Sequence, residues 1–250
     1  MTSFIQKIAG KFNYEIRRKT SGFDLPNDFE DLHRSIYSKV RSHTMTSPQR
    51  LYALIEAVRY IEKYKIPGDI VECGVWKGGS MMAVAETLVA QNALHRSLFL
   101  YDTFEGMTPP GELDKDYEGK SAATLLAANQ DKEKNPVWAY SEIETVRQGM
   151  KATGYPEQKV RYVRGKVEDT IPATKPEAIA LLRLDTDWYE STYHELLHLF
   201  PLLSAGGVLI LDDYGYWQGA RKAVDDYFER HPCRIYLGRI DETGRIAIKQ

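Results

Sequence analysis

Two pairs of aspartates stand where apolar runs end. Asp185 and Asp187 close "LLRLDTD", and Asp212 and Asp213 close "VLILDD". Runs of this kind read as buried strands of a parallel sheet, and open α/β sheets bind their ligands at the carboxyl ends of such strands. Asp185 and Asp187 share a face if the strand geometry persists. Several carboxylates at one edge repel unless a cation is present, and an all-oxygen ligand set suits Mg²⁺, with Mn²⁺ or Ca²⁺ as substitutes, better than Zn²⁺. Either pair alone reads equally well as helix caps; two pairs on adjacent strands favour a site.

A rival arrangement follows nine residues after Asp185. "HELLH", residues 194–198, has the spacing of a zinc-protease helix. Helical phase places Tyr193, Leu196, Leu197 and Phe200 on the buried face, which leaves His194, Glu195 and His198 in solvent. A zinc helix also needs a further ligand. The aspartates are the expected site.

"VECGVWKGGS" runs from a strand into a helix. Gly74, Gly78 and Gly79 permit a tight turn and a close ligand approach, and the helix start offers free N–H groups. The spacing is neither GxGxxG nor a P-loop, because no GK[ST] follows. Glu72 at the strand end suits the ammonium of an amino-acid-bearing nucleotide. Asp102 ends the next strand, "LFLYD", where it can accept both hydroxyls of a ribose. Read apart, these are a plain strand-to-helix turn and a turn-capping aspartate; together they predict an adenosine-type ligand.

The elements that must hold these residues alternate along the chain. Strands are expected at "GDIVECG", "SLFLYDTF", "KVRYVRG", "AIALLRLD" and "GVLILDD", helices at 78–92, 191–207 and 219–231, and a closing hairpin turns near Thr243-Gly244. This predicts a mostly parallel sheet with helices on both faces. The first 65 residues read as helical, so an N-terminal helical extension over 1–66 precedes an α/β domain over 67–250. Ser47-Pro48 starts the clearest helix, and Gly68 stops it. Residues 105–140 are too long and polar for a plain connection and are expected to form a lid, with helix around "SAATLLAAN".

A net charge of −2 and a pI of about 6.3 give no basic field for nucleic acid. No apolar run is long enough to cross a bilayer. The N-terminus is too polar for a signal peptide and reads as a packing or dimer helix, so a homo-oligomer is expected. Two cysteines, Cys73 and Cys233, need no disulfide framework, and the cytoplasm is the default.

The motifs together resemble the macrocin O-methyltransferase family, the S-adenosylmethionine- and Mg²⁺-dependent sugar O-methyltransferases of antibiotic tailoring. The resemblance spans residues 40–230 and rests on "TMTSPQRLYAL", "DIVECGVWKGGS", "LYDTFEGM", "VRGKVEDTIP", "LRLDTDWYEST" and "GGVLILDDYGYWQGARKAVDDYF". It implies a Rossmann-like class I methyltransferase fold with a seven-stranded sheet. It also implies a metal held by Asp185, Asp212 and Asp213, with Asp187 as the general base. The cofactor would be held by Glu72, Gly74, Gly79, Ser80 and Asp102, with Asp185 alongside. Met45 and Thr46 would close over its methionine end, and Glu168 or Asp169 would lie near its adenine. Trp188, Tyr189, Tyr214 and Trp217 adjoin the metal motifs and could stack on a sugar or serve as rim packing under the lid. A catechol-type enzyme acting on a small phenolic diol would share this core. A cofactor-binding module without catalysis would not need four aspartates.

Overall fold

The structure is a computed structural model that describes residues 25–128 and 130–250. The expected N-terminal packing or dimer helix lies outside the described residues. Helices α1 (Asp31–Val40) and α2 (Pro48–Lys63) come first. Ser47 caps α2 by accepting from Arg50 N at 3.1 Å, ahead of Pro48 at the first helical position. The alternation then runs β1 (Asp69–Cys73), α3 (Gly79–Ala90), β2 (Leu98–Asp102), α4 (Ala122–Ala127), α5 (Ile143–Ala152), β3 (Val160–Arg164), α6 (Val167–Thr170), β4 (Ile179–Leu184), α7 (Tyr189–Leu199), β5 (Leu203–Leu211), α8 (Gln218–Arg230), β6 (Gly238–Arg239) and β7 (Arg245–Ile248).

The seven strands are ordered β3-β2-β1-β4-β5-β7-β6. β1 to β5 are parallel, and the expected hairpin adds β7 antiparallel to β5. The order reverses beside β1, so the carboxyl ends of β1, β2, β4 and β5 border one crevice.

Strand alternation divides the core between the two sheet faces. Ile70, Leu181, Val208 and Ile210 pack with α1, α2 and α3 on one face. Their neighbours Val71, Leu182, Leu209 and Leu211 pack with α7 and α8 on the other. α1 and α2 therefore bury Ile36, Val40, Leu51, Leu54, Ile55 and Val58 in the same cluster as the sheet. Each fully buried aliphatic side chain of this kind contributes about 1.5–3 kcal/mol.

Three boundaries differ from the sequence expectation. The helix expected over 191–207 starts at Tyr189 and ends at Leu199, because Pro201 enters a 3₁₀ turn and β5 already begins at Leu203. α5 was not expected. It forms because Val146 and Met150, four apart, bury one face while Gly149 lets the sulfur of Met82 come close. The predicted phase of "HELLH" is also wrong. Glu195 is fully buried and Leu197 is 40% exposed. α7 packs against both the sheet and α8, so its buried stripe is Ser191, Thr192, Glu195, Leu196 and Leu199. Phe200, used to set the phase, belongs to the 3₁₀ turn.

The insertion over 105–140 contains α4 as expected. Met107 N donates to Trp138 O at 2.9 Å and ties the two ends of the insertion together. A bridge between Asp116 and Trp217 fastens it to the start of α8.

Candidate active site

A cleft of about 450 Å³ opens at the carboxyl ends of the parallel strands. Its floor is built where β1 turns into α3. Gly74 has φ +81°, and a Cβ there would lie 2.0 Å from the carbonyl oxygen of Asp185. Only glycine fits, because the end of β4 crosses directly over it, with Asp185 N donating to Cys73 O at 2.8 Å. The glycine therefore locks the β1 turn to the acidic strand. Gly79 has a similar structural role. A Cβ there would lie 2.5 Å from His43 O, and Gly79 N donates to that oxygen at 2.9 Å. Residues 43–46 are thus clamped over the start of α3, which brings Met45 and Thr46 to the cleft wall.

Asp102 lies on the wall at the end of β2. Its Oδ2 accepts from Val75 N at 2.7 Å and Trp76 N at 3.1 Å, and its Oδ1 accepts from Phe104 N at 2.7 Å. Burial pushes its carboxyl up, against the pull of these backbone donors. Oδ1 keeps capacity for another donor. Ser80 and Glu168 also line the cleft, from the first turn of α3 and the start of α6.

One ligand atom each from Asp185, Asp187 and Asp213 lies within 4.8 Å of the others, the one such acidic group among the described residues. Loss of water, then mutual repulsion, pushes Asp187 up to about 7 and Asp185 and Asp213 well above the ordinary carboxylate range. Asp187 has φ +70°, a conformation uncommon outside glycine, and strain of this kind clusters at functional sites. His194 and His198 touch each other, ring centroids 4.3 Å apart, but gather no third ligand among the described residues.

Asp212, expected with the metal set, stands apart from that group. Arg183 donates to its Oδ1 at 2.6 Å, and Arg50 pairs with its Oδ2. Both oxygens are held by guanidinium groups, because Arg183 points out of β4 directly beside β5. Arg183 was missed in the sequence, and it links the site. It also donates to Glu72 Oε1 at 2.6 Å and to Thr46 Oγ1 at 2.9 Å, and it forms an ion pair with Asp185 Oδ2 at 2.8 Å. Burial lowers its affinity for a proton, but the surrounding carboxylates outweigh burial and hold the guanidinium charged. A lone charged residue inside "LLRLD" was the available signal. Arg50 in turn pairs with Asp241 at 3.0 Å, anchoring the β6–β7 turn to α2.

Glu72 and Gly79 do not line the cleft. Glu72 is fully buried, its Oε2 has no partner, and burial pushes the carboxyl up to about 7. Among the aromatics expected at the acceptor, Trp217 lines the cleft, while Trp188, Tyr189 and Tyr214 do not. Trp188 is buried under the insertion and donates to Thr108 O at 3.0 Å. Tyr189 turns towards α8 and donates to Asp226 at 2.9 Å. Tyr214 lies outside the cleft and donates to Asp225 at 2.8 Å. Tyr216, not singled out in the sequence, takes a place on the wall.

A doubly wound sheet with a glycine turn, a strand-end aspartate and an acidic group at the next strands defines an O-methyltransferase of the Rossmann-like class. The chain belongs to the macrocin-O-methyltransferase (TylF) family, whose model matches residues 4–248. It is 33% identical to the demethyldecarbamoylnovobiocin O-methyltransferase of Streptomyces niveus over 94% of this chain and 84% of the relative. It is 36% identical to the 8-demethyl-8-(2,3-dimethoxy-alpha-L-rhamnosyl)-tetracenomycin-C 4'-O-methyltransferase of Streptomyces olivaceus over 81% and 74%. Among solved structures it resembles the O-methyltransferase NovP, with a TM-score of 0.72 and 32% identity over 83% of this chain and 82% of that one. The calicheamicin methyltransferase CalS11 shares the fold, with a TM-score of 0.61 and 16% identity over 93% and 99%.

Proposed function

We propose that the chain methylates a hydroxyl of a sugar ring on a glycoside, using S-adenosylmethionine and a divalent cation, Mg²⁺ first, in the cytoplasm and as a homo-oligomer. The observation that carries the reading is the grouping of Asp185, Asp187 and Asp213 beside the β1 turn in one cleft. The rhamnosyl group in the printed name of the Streptomyces olivaceus relative supports the acceptor class.

The residues fit both absent groups. The cleft volume suits a nucleoside-sized ligand. Asp102 has capacity for ribose hydroxyls, Ser80 stands at the helix start, and Glu168 on the cleft wall would border the adenine end. Glu72, fully buried behind the wall with Oε2 unpartnered, would act on an ammonium only through Arg183 and the charge of the site. Among the described residues, Glu72, Asp185, Asp187, Asp212 and Asp213 have only Arg183 and Arg50 as ion-pair partners, an acidic excess that suits a divalent cation. Asp185 and Asp213 would hold it, with Asp212 as the third ligand by the family resemblance, which leaves Asp187 of the same acid group to act as the base.

The donor supplies a methyl group already activated on a sulfonium, and the cation would lower the pKa of the acceptor hydroxyl. The chain contributes placement. Gly74 fixes the donor turn against the acid strand, so that an acceptor oxygen at Asp185–Asp213 faces the donor wall within one cleft. A carboxylate oxygen of Asp187 would take the proton of the acceptor hydroxyl. Burial and the neighbouring acids raise the proton affinity of Asp187 in the cation-free cleft, and a bound cation would offset part of that rise.

The test is methylation of sugar diols and phenolic diols offered side by side, with Mg²⁺ and with chelator, read by mass spectrometry. Cation-dependent methylation of sugars supports the reading. Methylation of phenolic diols alone would replace it with the catechol-type reaction.

A further inference from the structure

Glu195 stands in the buried stripe of α7, among Ser191, Thr192, Leu196 and Leu199. It is fully buried, and neither carboxyl oxygen has a hydrogen-bond partner. The two leucines belong to the same apolar cluster as Cys73, Leu184 and Leu211, the last residues of β1, β4 and β5. Two polar groups adjoin the Glu195 carboxyl there, the Thr186 hydroxyl and the Cys73 thiol. Thr186 lies between Asp185 and Asp187 and lines the cleft, yet its Oγ1 is buried with no partner either. Cys73 is fully buried, and its carbonyl oxygen accepts from Asp185 N at 2.8 Å. Glu195 therefore sits beneath the crossing that joins the β1 turn to the acid strand.

An ionised carboxylate would have no counter-charge at this position. The charged groups that act on it, Glu168 on α6 and Asp185 at the end of β4, are acids, and no cation pairs with it among the described residues. An unpaired buried carboxylate is costly. Loss of water, reinforced by those two acids, accordingly pushes its pKa well above the ordinary carboxylate range. A protonated carboxyl carries one O–H donor and keeps an acceptor oxygen, which suits a hydroxyl on one side and a thiol on the other. Leucine would fill the stripe without any of this cost, so packing alone does not account for an acid here.

We propose that Glu195 is a positioning residue for the acid group: its carboxyl bridges Thr186 and Cys73 from below and fixes the turn that carries Asp185 and Asp187 into the cleft. Asp187 has φ +70°, and a conformation of that kind persists only where the surroundings hold it. Trp188 N at 2.9 Å and the Ser191 hydroxyl at 3.5 Å both donate to Thr186 O and hold the backbone of the turn. Glu195 holds its side chain. The proposal rests on the reading of Asp185 as a cation ligand and Asp187 as the base.

The experiment measures Mn²⁺ affinity by calorimetry, stability by denaturant unfolding and single-turnover methyl transfer for wild type, Glu195→Gln and Glu195→Leu. Glutamine is uncharged and keeps a donor and an acceptor, so Glu195→Gln should match wild type in all three. Glu195→Leu should be at least as stable as wild type, because a buried unpaired acid is gone. Its Mn²⁺ affinity and turnover should nonetheless fall by about 10–100-fold, the range for loss of a group that orients a metal ligand, with S-adenosylhomocysteine affinity unchanged. Wild-type Mn²⁺ affinity in Glu195→Leu, or an equal loss in Glu195→Gln, overturns the assignment. Infrared difference spectra of wild type against Glu195→Gln at neutral pH decide even if the leucine variant does not fold. Loss of a protonated-carboxyl C=O band in the variant is expected, and loss of an ionised-carboxylate band instead overturns the bridge. Wild type that binds no Mn²⁺ removes the cation reading, and the role of Glu195 with it.

Discussion

The floor of the cleft and the insertion over its mouth are held together by opposite means. On the floor, Arg183 is 3% exposed and joins Glu72, Asp185, Asp212 and Thr46 through contacts of 2.6–2.9 Å. On the insertion, Leu113 and Tyr117 stand in solvent, and attachment comes from the bridge at Asp116, a few hydrogen bonds and a small apolar cluster of Ala122, Leu126, Trp188, Trp217 and Ala220. Buried charge networks tolerate little change, because removing one member leaves the others uncompensated. Exposed positions cost little to vary. The floor is therefore suited to fixing one reaction, and the insertion to choosing what undergoes it.

The sharpest way to break this contrast is at Asp187. Asp187→Asn should lower turnover by about 10²–10⁴, the range for loss of a general base, while leaving S-adenosylhomocysteine affinity unchanged. Wild-type turnover in a single-turnover methyl-transfer assay would remove the base assignment. Arg183→Met comes next. It strips the shared counter-ion from three acids and should cost about 3–5 kcal/mol of stability, measured by denaturant unfolding. Stability within error of wild type would mean that the network does not hold the floor.

A smaller effect follows from proton linkage. Asp187 is pushed from its ordinary 3.8 up to about 7, so between those values the folded protein holds a proton that the unfolded chain releases. Stability of the cation-free protein should fall as pH rises through that window, and above it the penalty is complete. Asp187→Asn should flatten part of that fall, and added Mg²⁺ should do the same to the wild type. A Tm that rises with pH across the window in the cation-free protein, relative to Asp187→Asn, would contradict the linkage. The smallest effect is expected on the insertion. Leu113→Ser should change stability by about 0.5 kcal/mol or less, and a larger loss on thermal unfolding would make this part of the insertion core.

The sheet and its acidic edge were legible because β2, β4 and β5 carry largely apolar runs that lead into a carboxylate. Asp102, Asp185 and Asp213 reach the cleft for that reason. What escaped depends on contacts distant in sequence. The partners of Arg183 come from α2's approach, β1, β4 and β5 at once. Gly79 looked available to a ligand but is filled by His43 from another element. α5 has too short an apolar stripe to stand out in its polar segment. Glu195 is buried because α7 packs on two surfaces, which a phase reckoned for one buried face does not anticipate.

The most direct test of the shared cleft is calorimetric titration of S-adenosylhomocysteine into the protein, with Mg²⁺ and with chelator. Micromolar binding at one site per chain, lost in Asp102→Ala and kept in Asp187→Asn, is the predicted result. No binding in either condition would contradict the account, and Glu72 and Asp102 would revert to strand-end residues that only hold the fold.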